Sequence, residues 1–281
     1  MTKKFKVSPI YLLPEIGSLS LTGLLVFLIE QSELELPFVT FFPETPGGVT
    51  LNVSIFIGLM AIAATVMYLL VKYGFKRIVR NLVKLSLIFV TFILLNWYGF
   101  IALSFIEVPE ALYDVSLIVG SLVLTAVLIF AIYRTRGAGY MVAATVIGAL
   151  TGTFLGVSVP MLSAVILLSA LTIYDFFAVY KGPVGKIAAN AHLEEFVGAV
   201  FSYGDLTIGM GDIVFYSMLA GTAMSNFGVF PFFATSIGII VGAFLGFKML
   251  ETREIFPGLP LALSMGLALL FASVFIQRIL G

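Results

Sequence analysis

Nine apolar stretches, each about as long as a membrane-spanning helix, follow one another along the chain and constrain its fold more than any other feature. About 20 residues of helix cross the roughly 30 Å of bilayer hydrocarbon. In lipid every backbone N–H and C=O group must be paired internally, which leaves helices and closed barrels as the spanning structures. We therefore predict an all-α polytopic membrane protein with nine transmembrane helices, at residues 10–29, 51–71, 82–105, 115–133, 141–157, 161–180, 207–225, 230–250 and 259–280.

The composition excludes several kinds of site. With 60% hydrophobic residues, 11% charged residues and a mean hydropathy of +1.14, the chain has the make-up of a membrane protein. A formal net charge of zero gives no support for nucleic acid as a partner. The chain has no cysteine, which excludes thiolate metal sites, and its single histidine, His192, argues against a multi-histidine metal site and against a Ser-His-Asp triad. We expect neither a metal nor a cofactor.

The basic residues predict the orientation of the helices, because short cytoplasmic loops collect Lys and Arg. Fourteen of the fifteen basic residues fall before the first predicted helix or in alternate connections after it, and only Arg278 falls on the opposite side. The acidic residues Glu30, Glu44, Glu107 and Glu110 lie in connections on that opposite side. We therefore predict that the amino terminus is cytoplasmic and the carboxyl terminus is outside.

Glycines recur at every fourth position in the fifth and eighth predicted helices and leave smooth stripes that a neighbouring backbone can approach. The two sets are Gly148, Gly152 and Gly156, and Gly238, Gly242 and Gly246. One interpretation is contact between helices of the same chain. The other is a dimerising or sliding surface.

Two aspartates lie inside predicted helices, Asp175 in the sixth and Asp212 in the seventh. An ionisable side chain in hydrocarbon costs at least a few kcal/mol, so it indicates a functional site. Asp175 lies six residues before Lys181, which places it about 9 Å inside the helix end. Asp212 lies seven residues after Asp205, on a helix that runs the other way. The two carboxylates are therefore predicted at similar depth on neighbouring antiparallel helices.

Two carboxylates at one depth suit two kinds of chemistry. In an aspartyl hydrolase, an ionised carboxylate takes a proton from water while a protonated one assists the carbonyl oxygen. Two close carboxylates do not easily ionise together, so such a pair shares a proton and titrates as a unit. A proton- or cation-coupled transporter uses intramembrane acids as readily. The placement of the charges alone leaves both functions open.

Three short motifs accompany these acids in order along the chain. Tyr174 precedes the first aspartate, Gly-Met-Gly at 209–211 precedes the second, and Pro-Gly-Leu-Pro at 257–260 opens the ninth predicted helix. This ordered set resembles the presenilin and signal peptide peptidase family of intramembrane aspartyl proteases. Lys-Gly-Pro at 181–183 and Phe-Tyr-Ser at 215–217 favour the presenilin branch, and the chain is similar to a prokaryotic presenilin homologue.

The resemblance implies a role for each motif. It makes Asp175 and Asp212 the catalytic residues of a GxGD-type intramembrane aspartyl endopeptidase, which hydrolyses peptide bonds of transmembrane helices. Substrate binding is expected of the flanking residues Tyr174, Gly209, Met210, Gly211, Pro257, Gly258, Leu259 and Pro260.

The positions of the motifs predict how the chain is organised. Residues 1–281 are expected to form one membrane domain, in which the first five helices, 1–157, are the scaffold and substrate gate. The last four helices, 158–281, carry all three motifs. We expect an integral, multi-pass protein of a prokaryotic cell membrane, whose partners are the lipid bilayer and transmembrane-helix substrates. The sequence leaves open whether it works with accessory subunits or as a homo-oligomer.

A transporter and a catalytically silent helix-binding scaffold are the alternative functions. Transporters often contain an internal repeat with paired broken helices. Here the acids and the prolines of the motifs all fall in the last four predicted helices, which favours the protease.

The chain departs from the family pattern at two points. The family usually has Pro-Ala-Leu-Pro where this chain has Gly258, and a glycine keeps that position small. The connection between the two aspartates is also far shorter than in animal presenilins, which argues against self-cleavage there.

Polar and aromatic residues near helix ends have simpler interpretations. Glu15 is expected to cap the first helix or to extend its carboxylate to the cytoplasmic surface, with an intramembrane role as the alternative. Trp97 and Tyr98 are expected to be anchors at the membrane interface. His192 is expected to be a loop residue.

Overall fold

The structure is a computed structural model, which describes residues 6–32, 34, 40–135, 137–180, 200–203, 206–252 and 257–280. It describes no side chain at 178–180, 200–203 or 206–207. The predicted connection after the sixth helix, with Lys181 and His192, lies largely outside the described residues.

Nine α-helices and one small sheet make up most of the described chain. A 3₁₀ turn, Pro9–Leu12, leads into the first helix, and the two strands lie between the sixth and the seventh. The elements are α1 (Leu13–Gln31), α2 (Pro46–Lys72), α3 (Lys76–Leu103), α4 (Glu110–Arg134), α5 (Ala138–Ser158), α6 (Met161–Tyr180), β1 (Val200–Tyr203), β2 (Leu206–Gly209), α7 (Met210–Phe227), α8 (Val229–Met249) and α9 (Leu259–Leu280).

Seven of these helices, α1 to α5 with α8 and α9, are long and apolar enough to cross a membrane. The prediction of a multi-pass helical membrane protein is therefore confirmed. That α6 and α7 also span the bilayer, and that the amino terminus is cytoplasmic, stay predictions.

The predicted start of the seventh helix is wrong by three residues. The helix begins at Met210, and residues 206–209 form β2, which pairs with β1 in the antiparallel register Phe201↔Ile208 and Ser202↔Thr207. The β-branched Thr207 and Ile208 suit an extended backbone, and Gly209 keeps that conformation with φ −73° and ψ 132°. The correction moves Asp212 from the interior of α7 into its first turn.

The glycine stripe of α5 packs against α7. A Cβ added to Gly148 would lie 2.8 Å from Cγ2 of Ile213, and one added to Gly156 would lie 2.6 Å from the carbonyl oxygen of Met218. Residue numbers rise together along this contact, so α5 and α7 run parallel. The intramolecular interpretation of this stripe is confirmed.

The glycines of α8 pack against α9 in the same manner. A Cβ added to Gly238 would lie 2.6 Å from the carbonyl oxygen of Met265, and one added to Gly242 would lie 2.6 Å from Cα of Ala262. These contacts run antiparallel. They fix the start of α9 beside the end of α8, which is where the Pro257–Pro260 motif lies.

The first helix packs beside the helices of the second half of the chain. Thr153 of α5 donates a hydrogen bond to Thr22 over 3.0 Å, and Val7 donates its N–H to Oε1 of Glu251 over 2.8 Å. Leu19 belongs to the same buried cluster as Leu219 of α7. The start of α1 therefore lies at the same end of the bundle as the connection from α8 to α9.

Tyr98 packs inside the bundle, so the expectation that it anchors the protein at the membrane interface is wrong, whereas Trp97 is half-buried and its role as an anchor stays a prediction. The Tyr98 side chain is 8% exposed, and its hydroxyl donates to the carbonyl oxygen of Leu150 over 3.0 Å. The Trp97 ring meets the Phe154 ring edge to face at 5.0 Å. The cause is helical spacing, because Tyr98 lies four residues after Leu94 on the buried face of α3.

Candidate active site

Asp212 lies in the first turn of α7, directly after β2. The first N–H groups of a helix have no partner within it, and the helix dipole favours negative charge there. The Asp212 side chain is half-buried. A Cβ added to Gly209 would lie 3.7 Å from its Oδ2, so the glycine provides room beside the carboxylate.

Asp175 lies near the end of α6 and is bonded to the start of α9. Its Oδ2 accepts a hydrogen bond from the Leu259 N–H over 3.3 Å. Leu259 is the first residue of α9, so this carboxylate pairs with one of the free N–H groups of that helix end. Hydrogen bonds to an ionised carboxylate are stronger than neutral ones.

The Pro257–Pro260 segment lies across both acids. Gly258 lies against Asp212, since a Cβ added to this glycine would meet Oδ2 and would lie 3.0 Å from Cγ. The next residue, Leu259, is the one that binds Asp175. The two carboxylates are also close enough to interact electrostatically. The two acids of α6 and α7 therefore lie near each other, as predicted. They contact consecutive residues of the segment, Gly258 and Leu259.

Gly258 fits this position because it has no side chain. An alanine methyl, as in the usual family pattern, would meet the Asp212 carboxylate where it lies in this chain. Pro260 falls in the first turn of α9, where its missing N–H removes no hydrogen bond of the helix. The glycine at 258 and the proline at 260 therefore both suit their positions at the start of α9.

The remaining expected substrate-binding residues have different surroundings. Tyr174 is 37% exposed. Met210 is buried among apolar residues that include Ile147 and Ile213, whereas Gly211 is exposed at the start of α7. Their contribution to substrate binding stays a prediction.

Glu15 is a third acid at this site, for which the sequence indicated an intramembrane role only as the alternative. Its side chain is 0% exposed, and neither carboxyl oxygen has a hydrogen-bond partner among the described residues. It is close enough to interact electrostatically with Asp212 and Tyr216. The expectation that it extends to the surface is wrong, because α1 packs here against α5 and α7. The sequence signal for a buried Glu15 was its position inside the first predicted transmembrane helix, residues 10–29.

Tyr216 connects α7 to the Pro257–Pro260 segment. It lies four residues after Asp212, one turn along the same helix face. Its hydroxyl donates to the carbonyl oxygen of Gly258 over 3.0 Å. In the described part of the chain, no group of three or more His, Asp or Glu side chains is placed to hold a metal ion.

Solved structures share this arrangement of helices. Two crystal structures of a presenilin family intramembrane aspartate protease superpose on the chain with TM-scores of 0.66 and 0.64. Each superposition covers 94% of this chain, together with 97% and 96% of the other, at identities of 18% and 20%. The chain has the presenilin fold.

The presenilin fold confirms the resemblance that the three motifs predicted. No family model and no curated protein matches the sequence. At these identities the likeness establishes the fold alone.

Proposed function

We propose that this presenilin-fold protein is an intramembrane aspartyl protease that hydrolyses peptide bonds of transmembrane helices. The observation that carries the proposal is the pair of contacts to Pro257–Pro260. One segment lies against the Asp212 carboxylate at Gly258 and binds the Asp175 carboxylate at Leu259. Contacts of two acids from different helices with one short segment support a shared action on one peptide bond.

The proposed chemistry uses the two acids in opposite protonation states. The ionised carboxylate takes a proton from water, and the hydroxide oxygen bonds to the scissile carbonyl carbon. The protonated partner gives its proton to the carbonyl oxygen. Collapse of this gem-diol intermediate breaks the C–N bond. The leaving nitrogen takes the proton that the first carboxylate removed from water, and one hydroxyl of the gem-diol returns its proton to the second carboxylate.

The Pro257–Pro260 segment is proposed to position the substrate strand. Two prolines withhold two backbone donors, so the segment does not form a regular helix turn before Leu259. A transmembrane helix hides its peptide groups in internal hydrogen bonds and must unwind before water reaches a carbonyl. Exposed Gly211 and the small Gly209 leave room for such an unwound backbone near Asp212.

The purified chain, reconstituted in liposomes, is expected to cut a membrane-spanning peptide within its apolar stretch. Mass spectrometry of the products identifies the bond. The same liposomes, loaded with a pH-sensitive dye, report proton flux. Flux without cleavage would instead support the proton- or cation-coupled transporter, which uses the same two aspartates.

Substrate orientation follows from the proposed topology. With the amino terminus of the enzyme inside, α6 descends to the cytoplasmic end and α7 rises from it. This topology matches that of presenilins, and by the resemblance to them we expect a reporter helix whose amino terminus lies outside to be cut faster than the reversed helix in oriented membranes. Preference for the reversed reporter would contradict this topology, because an asymmetric site reads a peptide in one direction.

A further inference from the structure

Tyr216 is a buried tyrosine whose hydroxyl the proposed reaction does not use. It is 2% exposed, and its hydroxyl reaches from α7 to the Gly258 carbonyl oxygen over 3.0 Å. The same glycine lies against the Asp212 carboxylate. The helix that carries a catalytic acid therefore also holds, one turn further on, the segment opposite that acid.

We infer that Tyr216 is a positioning residue, which holds the Pro257–Pro260 segment across the two aspartates through the Gly258 carbonyl. The inference rests on the proposed protease function. In the described part of the chain, two hydrogen bonds join this segment to other helices. One is the bond of Leu259 to Asp175, and the other is the bond of Tyr216 to Gly258.

These two hydrogen bonds differ in whether their acceptor changes charge during a reaction cycle. The bond from Leu259 ends on a carboxylate that exchanges protons, and such a bond weakens when its acceptor loses its charge. The bond from Tyr216 joins a hydroxyl and a carbonyl group, neither of which changes charge. Tyr216 therefore supplies the contact that keeps Gly258 in place in every protonation state of the acids.

A structural role is the competing explanation, because any buried hydroxyl must find a partner. The chain contains a matched case in Tyr98, which is also buried and also donates to a backbone carbonyl on another helix over 3.0 Å. Tyr98 joins α3 to α5, and the described contacts do not connect it to either aspartate. Tyr216→Phe and Tyr98→Phe each remove one hydroxyl and keep the ring.

The test compares these two variants with the wild-type chain by steady-state cleavage in detergent. Tyr216→Phe is expected to lower kcat by about tenfold or more with KM within about twofold, because a displacement near 1 Å at a reacting site costs up to about 10²-fold. Tyr98→Phe is expected to keep kcat within about twofold. Both should lower the unfolding temperature by similar amounts.

Hydrogen exchange on peptides that cover residues 257–263 gives a readout that does not need activity. Tyr216→Phe should speed exchange there at least about threefold, and Tyr98→Phe should leave it unchanged. The inference is overturned if Tyr216→Phe matches Tyr98→Phe in both kcat and exchange. A wild-type chain that cleaves nothing would contradict the proposed function, and the exchange result would still decide whether Tyr216 holds the segment.

Discussion

Asp212→Asn and Asp175→Asn are each expected to lower cleavage by at least about 10³-fold while the protein stays folded. An amide has nearly the shape of a carboxylate, but it neither takes a proton from water nor gives one to a carbonyl oxygen. In the Asp175→Asn variant, the side-chain amide oxygen would still accept the hydrogen bond from Leu259. Product formation measured by mass spectrometry and thermal unfolding in detergent separate loss of chemistry from loss of fold.

Asp114→Asn is the matched control, because Asp114 is an exposed aspartate early in α4. The same chemical change there should leave cleavage at the wild-type rate. If either active-site variant turned over substrate at near the wild-type rate, the two-carboxylate mechanism would be wrong.

Gly152→Ala is expected to destabilise the protein by about 3 kcal/mol, the upper end of the usual cost of overpacking. A Cβ at this position would meet the Val214 carbonyl oxygen and would lie 2.6 Å from Cβ of Ser217 and 3.0 Å from the Met218 nitrogen. Two of these three neighbours are backbone atoms, which cannot rotate away. Thermal unfolding and the yield of monodisperse protein measure the effect.

Gly120→Ala provides the comparison on another apolar helix, α4. Among the described residues, none packs within 4 Å of a Cβ added there. Alanine favours helix over glycine by up to about 1 kcal/mol, so this variant should be as stable as the wild type or slightly more stable. Equal stability of Gly152→Ala and Gly120→Ala would contradict the close contact of α5 with α7.

The sequence predicted best what depends on local composition. The sixth and ninth helices, Met161–Tyr180 and Leu259–Leu280, have the predicted bounds, because apolar runs between helix breakers mark such ends. The third helix begins at Lys76 instead of residue 82, since its first turns are basic and helical outside the apolar run. The pairing of Asp175 with Asp212 across neighbouring helices was also predictable, because two acids in apolar helices require a shared polar site.

Features that depend on contacts between distant parts of the chain were not predictable. The start of α7 was missed although it depends on a near contact, because β1 ends only three residues before β2 begins and the apolar run from residue 207 was assigned to one helix. The burial of Glu15 requires α1 to lie against α5 and α7, and the burial of Tyr98 requires α5 to cover one face of α3. For Glu15 and Tyr98, burial depends on which helices pack against them, and the residues next to them in the sequence do not determine that packing.

The backbone contact between α5 and α7 restrains the two acids of the proposed catalytic pair to different degrees. Asp212 belongs to a helix whose turns rest directly on another backbone, so this helix cannot slide without separating from α5. Asp175 belongs to the end of α6, where the neighbouring Ile173, Phe176 and Phe177 are exposed. We therefore expect any adjustment of the distance between the carboxylates to come mainly from α6, while Asp212 keeps its place beside α5.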